Sequence, residues 1–285
     1  SLVLFSGLVY WIFTITQTKN NFKEPVVYTL SDEKVLNPIN AYKTILLKKD
    51  SVVNGFFNPG FTKHKWWIYL NVPSQVGDYL QIANPHINKI RIYTIHNEQP
   101  LLAYESGDYF KFSKRVLSDP DFWFQIPSLT SGLLVEVDKK GESLDLPIRL
   151  VAEREMTQYL FDEKMAYGIF TGWMIFLILL NLFLWASLRD NIHFFYILFV
   201  GSSALWVIAN WGLGFQYFWP DYPAMASKAR PLFSTSSFIF ILELARRYFA
   251  PIEKKPLYNG FTRALQIVLL LLFFIFLISN IALSN

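Results

Sequence analysis

Four residues in the first half of the chain carry the chemistry of a small-ligand site: Trp67, Tyr69, Asp108 and Arg115. Aromatic rings stack on sugar faces, and a carboxylate with a guanidinium hydrogen-bonds the hydroxyls or an acid group beside them. Trp66 and Trp67 fall on opposite faces of one strand, so one enters the core and the other lies on a sheet face. A structural reading competes. A Trp in a sandwich strand packs more often than it binds, Asp108 in Ser106-Gly107-Asp108 caps a turn, and Arg115 pairs with it.

Other chemistries find less support. His64, His86 and His96 stand in or beside polar turns at spacings that no metal motif uses, so they read as surface histidines; no metal and no cofactor is expected. The chain has no cysteine, which excludes disulfides, thiolate ligands and a Cys nucleophile. No Ser-His-Asp arrangement, glycine-rich phosphate loop or carboxylate pair stands out, so no catalytic residue is assigned.

A second set of polar residues lies within apolar surroundings, where an amide or ionisable group is costly. Asn181 and Asn210 read as hydrogen-bonding glue between helices, with His193 nearby, and Glu243 has Arg246 and Arg247 one turn on. Small residues from Gly201 to Ala204 allow close helix approach.

The elements that position these residues divide the chain between two solvents. From about 18 to 162 the apolar period is mostly two, and after 163 come apolar segments of bilayer length. A span needs roughly 20 apolar residues, and candidates fall at about 165–186, 192–217, 229–247 and 264–283. The third is the weakest, because Glu243 closes it and Ser234 to Ser237 dilute it. Residues 1–17 form a further apolar run, read as a signal peptide or anchor. Without an initial Met, and with an apolar run up to Asn285, the chain is expected to be a piece of a longer protein.

Composition agrees with a membrane protein: 53% of residues are hydrophobic and only 17% charged. The net charge of +4 is scattered and forms no stripe for a nucleic-acid backbone, so nucleic acid is excluded as a partner and membrane lipid is expected. Arg246, Arg247, Lys254, Lys255 and Arg263 put the loop after the third span in the cytoplasm, and hence residues 18–162 outside. Trp211, Tyr217, Phe218, Trp219 and Tyr222 suit the outer interface.

Strand patterns at Lys65 to Val72, Lys89 to His96, Phe122 to Ile126, Leu133 to Val137 and Leu146 to Ala152 are separated by turn signals, among them Asn58-Pro59-Gly60, His96-Asn97-Glu98 and Lys139-Lys140-Gly141. With no helical period between them, they predict an all-β, jelly-roll-like sandwich followed by an α-helical transmembrane bundle. Residues 20–40 read as a loop-rich start, and Glu153 to Lys164 as a polar helical or irregular connector that couples the sandwich to the first span.

These features resemble the bacterial seven-transmembrane receptors with diverse intracellular signalling modules (7TMR-DISM), of the type with the second class of extracellular domain. The resemblance rests on Lys65-Trp66-Trp67-Ile68-Tyr69-Leu70-Asn71, Asn88 to Tyr93, Ser106 to Arg115 and Leu146-Pro147-Ile148-Arg149-Leu150 in the first part. In the second it rests on Gly168 to Gly172 with Asn181, Leu188-Arg189-Asp190, and Gly214 through Trp219-Pro220, so that it spans roughly Val52 to Phe249. It implies a sensor related in shape to carbohydrate-binding modules, a small-molecule or carbohydrate ligand, a bacterial inner-membrane location and a homodimer. It also implies a cytoplasmic output, a histidine kinase or diguanylate cyclase, beyond Asn285. The chain departs from the pattern in showing four bundle spans rather than seven. A membrane-anchored glycan- or envelope-binding protein without output is the alternative, and a transporter accessory or a free-standing enzyme fits less well.

Overall fold

The period-two runs form antiparallel strands in a computed structural model that describes Phe22 and residues 24–33, 35–48, 52–72, 78–128, 130–249 and 256–278. The run 1–17 and the cations Lys254 and Lys255 lie outside the described residues. The strands are β1 (Val26–Asp32), β2 (Val52–Asn54), β3 (Phe56–Phe61), β4 (Lys65–Asn71), β5 (Tyr79–Ile82), β6 (Lys89–His96), β7 (Gln99–Ser106), β8 (Phe122–Gln125), β9 (Gly132–Asp138) and β10 (Ser143–Val151). They make a six-stranded sheet in the order β2-β1-β4-β9-β6-β7 and a four-stranded sheet in the order β3-β10-β5-β8. Every pairing is antiparallel.

Side-chain alternation sorts each strand between two environments. Ile68 and Leu70 of β4, Ile90 and Ile92 of β6, and Val135 and Val137 of β9 meet Leu80 and Ile82 of β5, Phe122 and Phe124 of β8, and Ile148 and Leu150 of β10 in one apolar core between the sheets. This is the expected sandwich. At about 25 cal/mol per Å² of apolar surface removed from water, such a core supplies the main stabilisation of a domain without disulfides.

Helix α1 (Pro38–Lys48) departs from the expected loop-rich start. Its Ala41, Tyr42 and Ile45 cover the outer face of the six-stranded sheet over Trp67, Tyr69, Tyr93, Ile95 and Leu134. Asn37 caps it, its Oδ1 accepting from the Asn40 N–H at 2.8 Å, and Pro38 opens the first turn where a missing N–H costs nothing. Asn58-Pro59-Gly60 also differs from its expectation as a separator: it lies inside β3, where the register with β10 shifts and Gly60 takes a left-handed φ of 73°. Asn97 and Glu98, with φ of 48° and 62°, form the two-residue turn between β6 and β7.

The polar connector is a helix. It is continuous with the first apolar segment as α2 (Glu153–Leu188), 36 residues long. The chain divides into two compact units at Glu163 and Lys164, within this helix. In the second unit follow α3 (Asn191–Asn210), α4 (Leu213–Tyr217), α5 (Pro223–Phe249) and α6 (Pro256–Ile278). The expected span 192–217 is interrupted: Gly212, at a left-handed φ of 78°, separates α3 from α4. Among the described residues three helices are long and apolar enough to cross a membrane, at Glu153–Leu188, Asn191–Asn210 and Asn259–Ile278. Helix α5, which contains the expected span 229–247, is long enough at 27 residues but too polar to join them by composition.

Candidate functional site

The four residues read from the sequence as a ligand face are divided between two buried places. Trp67 and Tyr69 lie beneath α1 and are 1% and 9% exposed. The Trp67 indole N–H donates to Asp32 Oδ2 at 2.9 Å, and Asp32 Oδ1 accepts from the Leu36 N–H at 2.7 Å, which ties the strand to the chain leading into α1. Burial, reinforced by Tyr42, pushes the Tyr69 phenol up to about 12. Gly132 leaves room for that ring, since a Cβ there would sit 2.7 Å from Tyr69 Oη. Trp66, on the other face, packs edge-on to Phe57 at 4.8 Å against the inter-sheet core. Trp67 therefore offers no open stacking face, and Trp66 is half-buried against the inter-sheet core.

Asp108 and Arg115 form a buried ion pair on the segment between β7 and β8. Arg115 Nη2 is 3.2 Å from Asp108 Oδ1, with side chains 3% and 4% exposed. The guanidinium also donates to the carbonyls of Pro85 and Pro120 and stacks on Phe122, 4.1 Å from its centroid. Burial pulls its pKa down against the opposing fields of Asp108, Asp121 and Asp119. Gly107 sets the geometry: at φ 138° its backbone passes so close to Asn88 that a Cβ would lie 2.3 Å from the Asn88 carbonyl oxygen. His86, expected on the surface, is only 9% exposed, with Nδ1 3.7 Å from Asp108 Oδ2. Asp108 and Arg115 thus staple loops together.

The outer face of the four-stranded sheet carries a further group, at Asp119 and Asp121, to which the sequence analysis assigns no role. Asp119 Oδ1 accepts from the Trp123 indole N–H at 3.0 Å and from the Asp121 N–H at 3.1 Å. Asp121 Oδ2 accepts from the Gln81 amide at 2.8 Å. Onto this face pack the first turns of α2. Trp123, Val151 and Met156 are buried there with Tyr79, Tyr159 and Leu160 around them, and the Trp123 and Tyr159 rings are 5.9 Å apart. Asp78 Oδ2 accepts from the Glu153 N–H at 3.0 Å, satisfying one orphan donor at the helix start. Burial, with Glu163 and Asp119 adding negative potential, pushes the Asp121 carboxyl well above its ordinary value. Two carboxylates two residues apart beside Phe122-Trp123-Phe124 were the available signal; the helix that meets them is a long-range fact.

Lys65 of β4, Arg91 of β6, Glu105 of β7 and Glu136 of β9 form a group of ion pairs across the six-stranded sheet. Arg91 bridges Glu105 at 2.7 Å and Glu136 at 3.2 Å, and Lys65 reaches Glu136 at 3.0 Å. Burial, with Glu136 next in effect, pushes the Tyr93 phenol up to about 12. Among the described residues no three His, Asp or Glu side chains are grouped to hold a metal ion.

In the helical unit the polar residues link helices. Asn181 Oδ1 on α2 lies 3.0 Å from His193 Nδ1 on α3, and Ser203 and Ser237 hydroxyls meet at 2.7 Å between α3 and α5. Glu243 accepts from Arg246 and Arg247 on its own helix and from Gln266 of α6 at 3.3 Å. Asn210 is the exposed last residue of α3. A pocket of about 350 Å³ lies between α2, α3 and α5, lined by Asn181, His193, Tyr196, Ile241 and Tyr248.

Comparison with known families matches the two units separately. The family described as 7TMR-DISM extracellular 2 matches residues 46–152, and that described as 7TM diverse intracellular signalling matches residues 163–285. The chain belongs to the 7TMR-DISM family. The 7TMR-DISM assignment makes the sandwich the extracellular domain and the helical unit the membrane part of a transmembrane sensor arrangement. No curated protein matches the chain. Within this 7TMR-DISM chain the residues between the two matched regions, 153–162, belong to the turns of α2 that pack on Trp123.

Proposed function

We propose that this chain is a signalling receptor of a bacterial inner membrane, in which residues 18–162 sense a small ligand outside and the helical unit passes occupancy to a cytoplasmic signalling module. The observation that carries the reading is α2. Its first turns are packed into the sandwich through Met156, Tyr159 and Leu160, and the same uninterrupted helix continues as an apolar segment of spanning length. A ligand shifts such a system only by its different affinity for the two states, and a helix shared by both units gives the sandwich a means to hold a preferred state of the bundle. Arg246 and Arg247 at the end of α5 support the outside placement of the sandwich, and α5 is read as a fourth span. Trp67 and Tyr69 are not carried forward as sugar-stacking residues, because both rings are covered by α1.

The test is a Trp123→Ala variant of the full chain in lipid nanodiscs, with spin labels on α3 and α5. A changed distance distribution between the labels supports transmission through α2. An unchanged distribution, with the helix start demonstrably loosened, makes the bundle an anchor and the chain a tethered binding protein.

A further inference from the structure

The seam between α2 and the four-stranded sheet contains a buried carboxyl that is hydrogen-bonded by a neutral amide. Asp121 is 8% exposed, and Oδ2 accepts from the neutral Gln81 amide of β5. Around it stand Asp119 and Arg115 on its own segment and Glu163 on α2, while Tyr159 of α2 feels Asp121, Glu163 and Arg149 of β10. Arg115 is already shared among Asp108 and the carbonyls of Pro85 and Pro120. Gln81 is fully buried, and its Oε1 has no hydrogen-bond partner. A proton on Asp121 therefore removes a buried negative charge facing two other carboxylates and adds an O–H donor to a group that holds an orphaned acceptor.

We propose that Asp121, with Asp119, Gln81, Tyr159 and Glu163, is a proton site, and that protonation of Asp121 locks the first turns of α2 onto the sandwich. The ligand of the sensing reading is then the proton itself, and the inference rests on that reading for its consequence in the bundle. The direction of the pH effect follows from the raised carboxyl. Docking is fully favoured below the ordinary Asp value of about 3.9 and is lost as the pH rises through the higher value of the docked state. Ionised Asp121 then faces Glu163 and Asp119 with like charge, and the helix start is released from the sheet.

Amide hydrogen exchange of residues 153–163, in the full chain in phosphatidylcholine nanodiscs and corrected for intrinsic exchange, reads the docking directly. As the pH rises from the ordinary Asp value of about 3.9, the protected fraction is expected to open reversibly by about tenfold. Asp121→Asn abolishes this response, and Glu163→Gln, which removes a neighbouring charge, shrinks it. Identical pH profiles for the wild type and Asp121→Asn, or a full-sized response in Glu163→Gln, overturn the proposal. Spin labels on α3 and α5 in the same samples separate the two claims. If protection is flat with pH while Trp123→Ala still moves the labels, the proton site fails and transmission stands; if protection follows pH while the labels never move, the proton site stands and transmission fails.

Discussion

Trp123 of β8 and Tyr159 of α2 meet with ring centroids 5.9 Å apart, where the outer face of the four-stranded sheet is closed by a helix that continues into an apolar segment of spanning length. Trp123 is 1% exposed and is held from below by Asp119 through its indole N–H. Trp123→Ala is expected to cost about 3–5 kcal/mol and to lower the thermal midpoint of the full chain in detergent. Trp123→Phe, which keeps the packing and loses the hydrogen bond, costs less, and equal losses would show that packing is not the main term.

The Asp108–Arg115 pair predicts an asymmetric pair of variants. Arg115→Met leaves Asp108 buried without its guanidinium and is expected to destabilise by about 3–5 kcal/mol. Arg115→Lys does not restore stability, since an ammonium cannot reproduce the fork that serves Asp108, Pro85 and Pro120 together. Chemical denaturation of the full chain checks this; full rescue by Lys would reduce the role of Arg115 to charge alone.

Glu105 predicts a pH response of opposite sign to that of Asp121. The hydrogen bond from Arg91, followed by that from Lys89, holds its carboxyl below the ordinary value despite partial burial. A lowered carboxylate stabilises above its unfolded value, about 4.3, and the contribution is lost as pH falls through the lower folded value. Arg91→Met is expected to flatten the acid limb of the stability profile only, which a series of melts from about pH 3 to about pH 6 measures.

Orientation is open to a direct test because the chain contains no cysteine. Leu102→Cys, at a position 56% exposed on β7, is expected to react with a membrane-impermeant maleimide in intact spheroplasts. Tyr248→Cys, at a position 61% exposed near the end of α5, is expected to react only after permeabilisation. The reverse pattern would invert the topology.

In the helical unit, Gly214 makes room for the Trp219 ring, whose Cζ2 would lie 2.3 Å from an added Cβ. Gly214→Ala is therefore expected to displace that ring and shift its fluorescence, with no such shift when Trp219 is already Phe. A shift that persists in the Trp219→Phe background would place the change elsewhere.

The central strands were legible in the sequence because their two faces differ cleanly: β4, β6 and β9 alternate between the inter-sheet core and the outer face. Helix α1 was hidden for a physical reason. Its buried face is short, at Ala41, Tyr42 and Ile45, and Leu47 on the opposite side is 86% exposed, which blurs the period. Asn37-Pro38 read as a loop signal, whereas it is a cap followed by a first-turn proline. Chemical type marks Trp67, Tyr69, Asp108 and Arg115 as ligand candidates, and type does not reveal a helix laid over Trp67 and Tyr69. The pairing of Asp108 with Arg115 was legible as its structural alternative because both belong to one short segment. The contact of Trp123 with Tyr159 spans distant parts of the chain and left no local trace.

With α1 over the aromatic part of one sheet and the foot of α2 over the other, the first unit is a filling between two lids. What remains uncovered on the six-stranded face is occupied by mutually neutralising Lys65, Arg91, Glu105 and Glu136. Among the described residues, exposed apolar side chains gather at rims, on the edge strand β7 with Leu101 and Leu102 and on the edge strand β3 with Phe56 and Phe61. A visiting molecule, among the described residues, meets its apolar contacts at the borders of the two sheets.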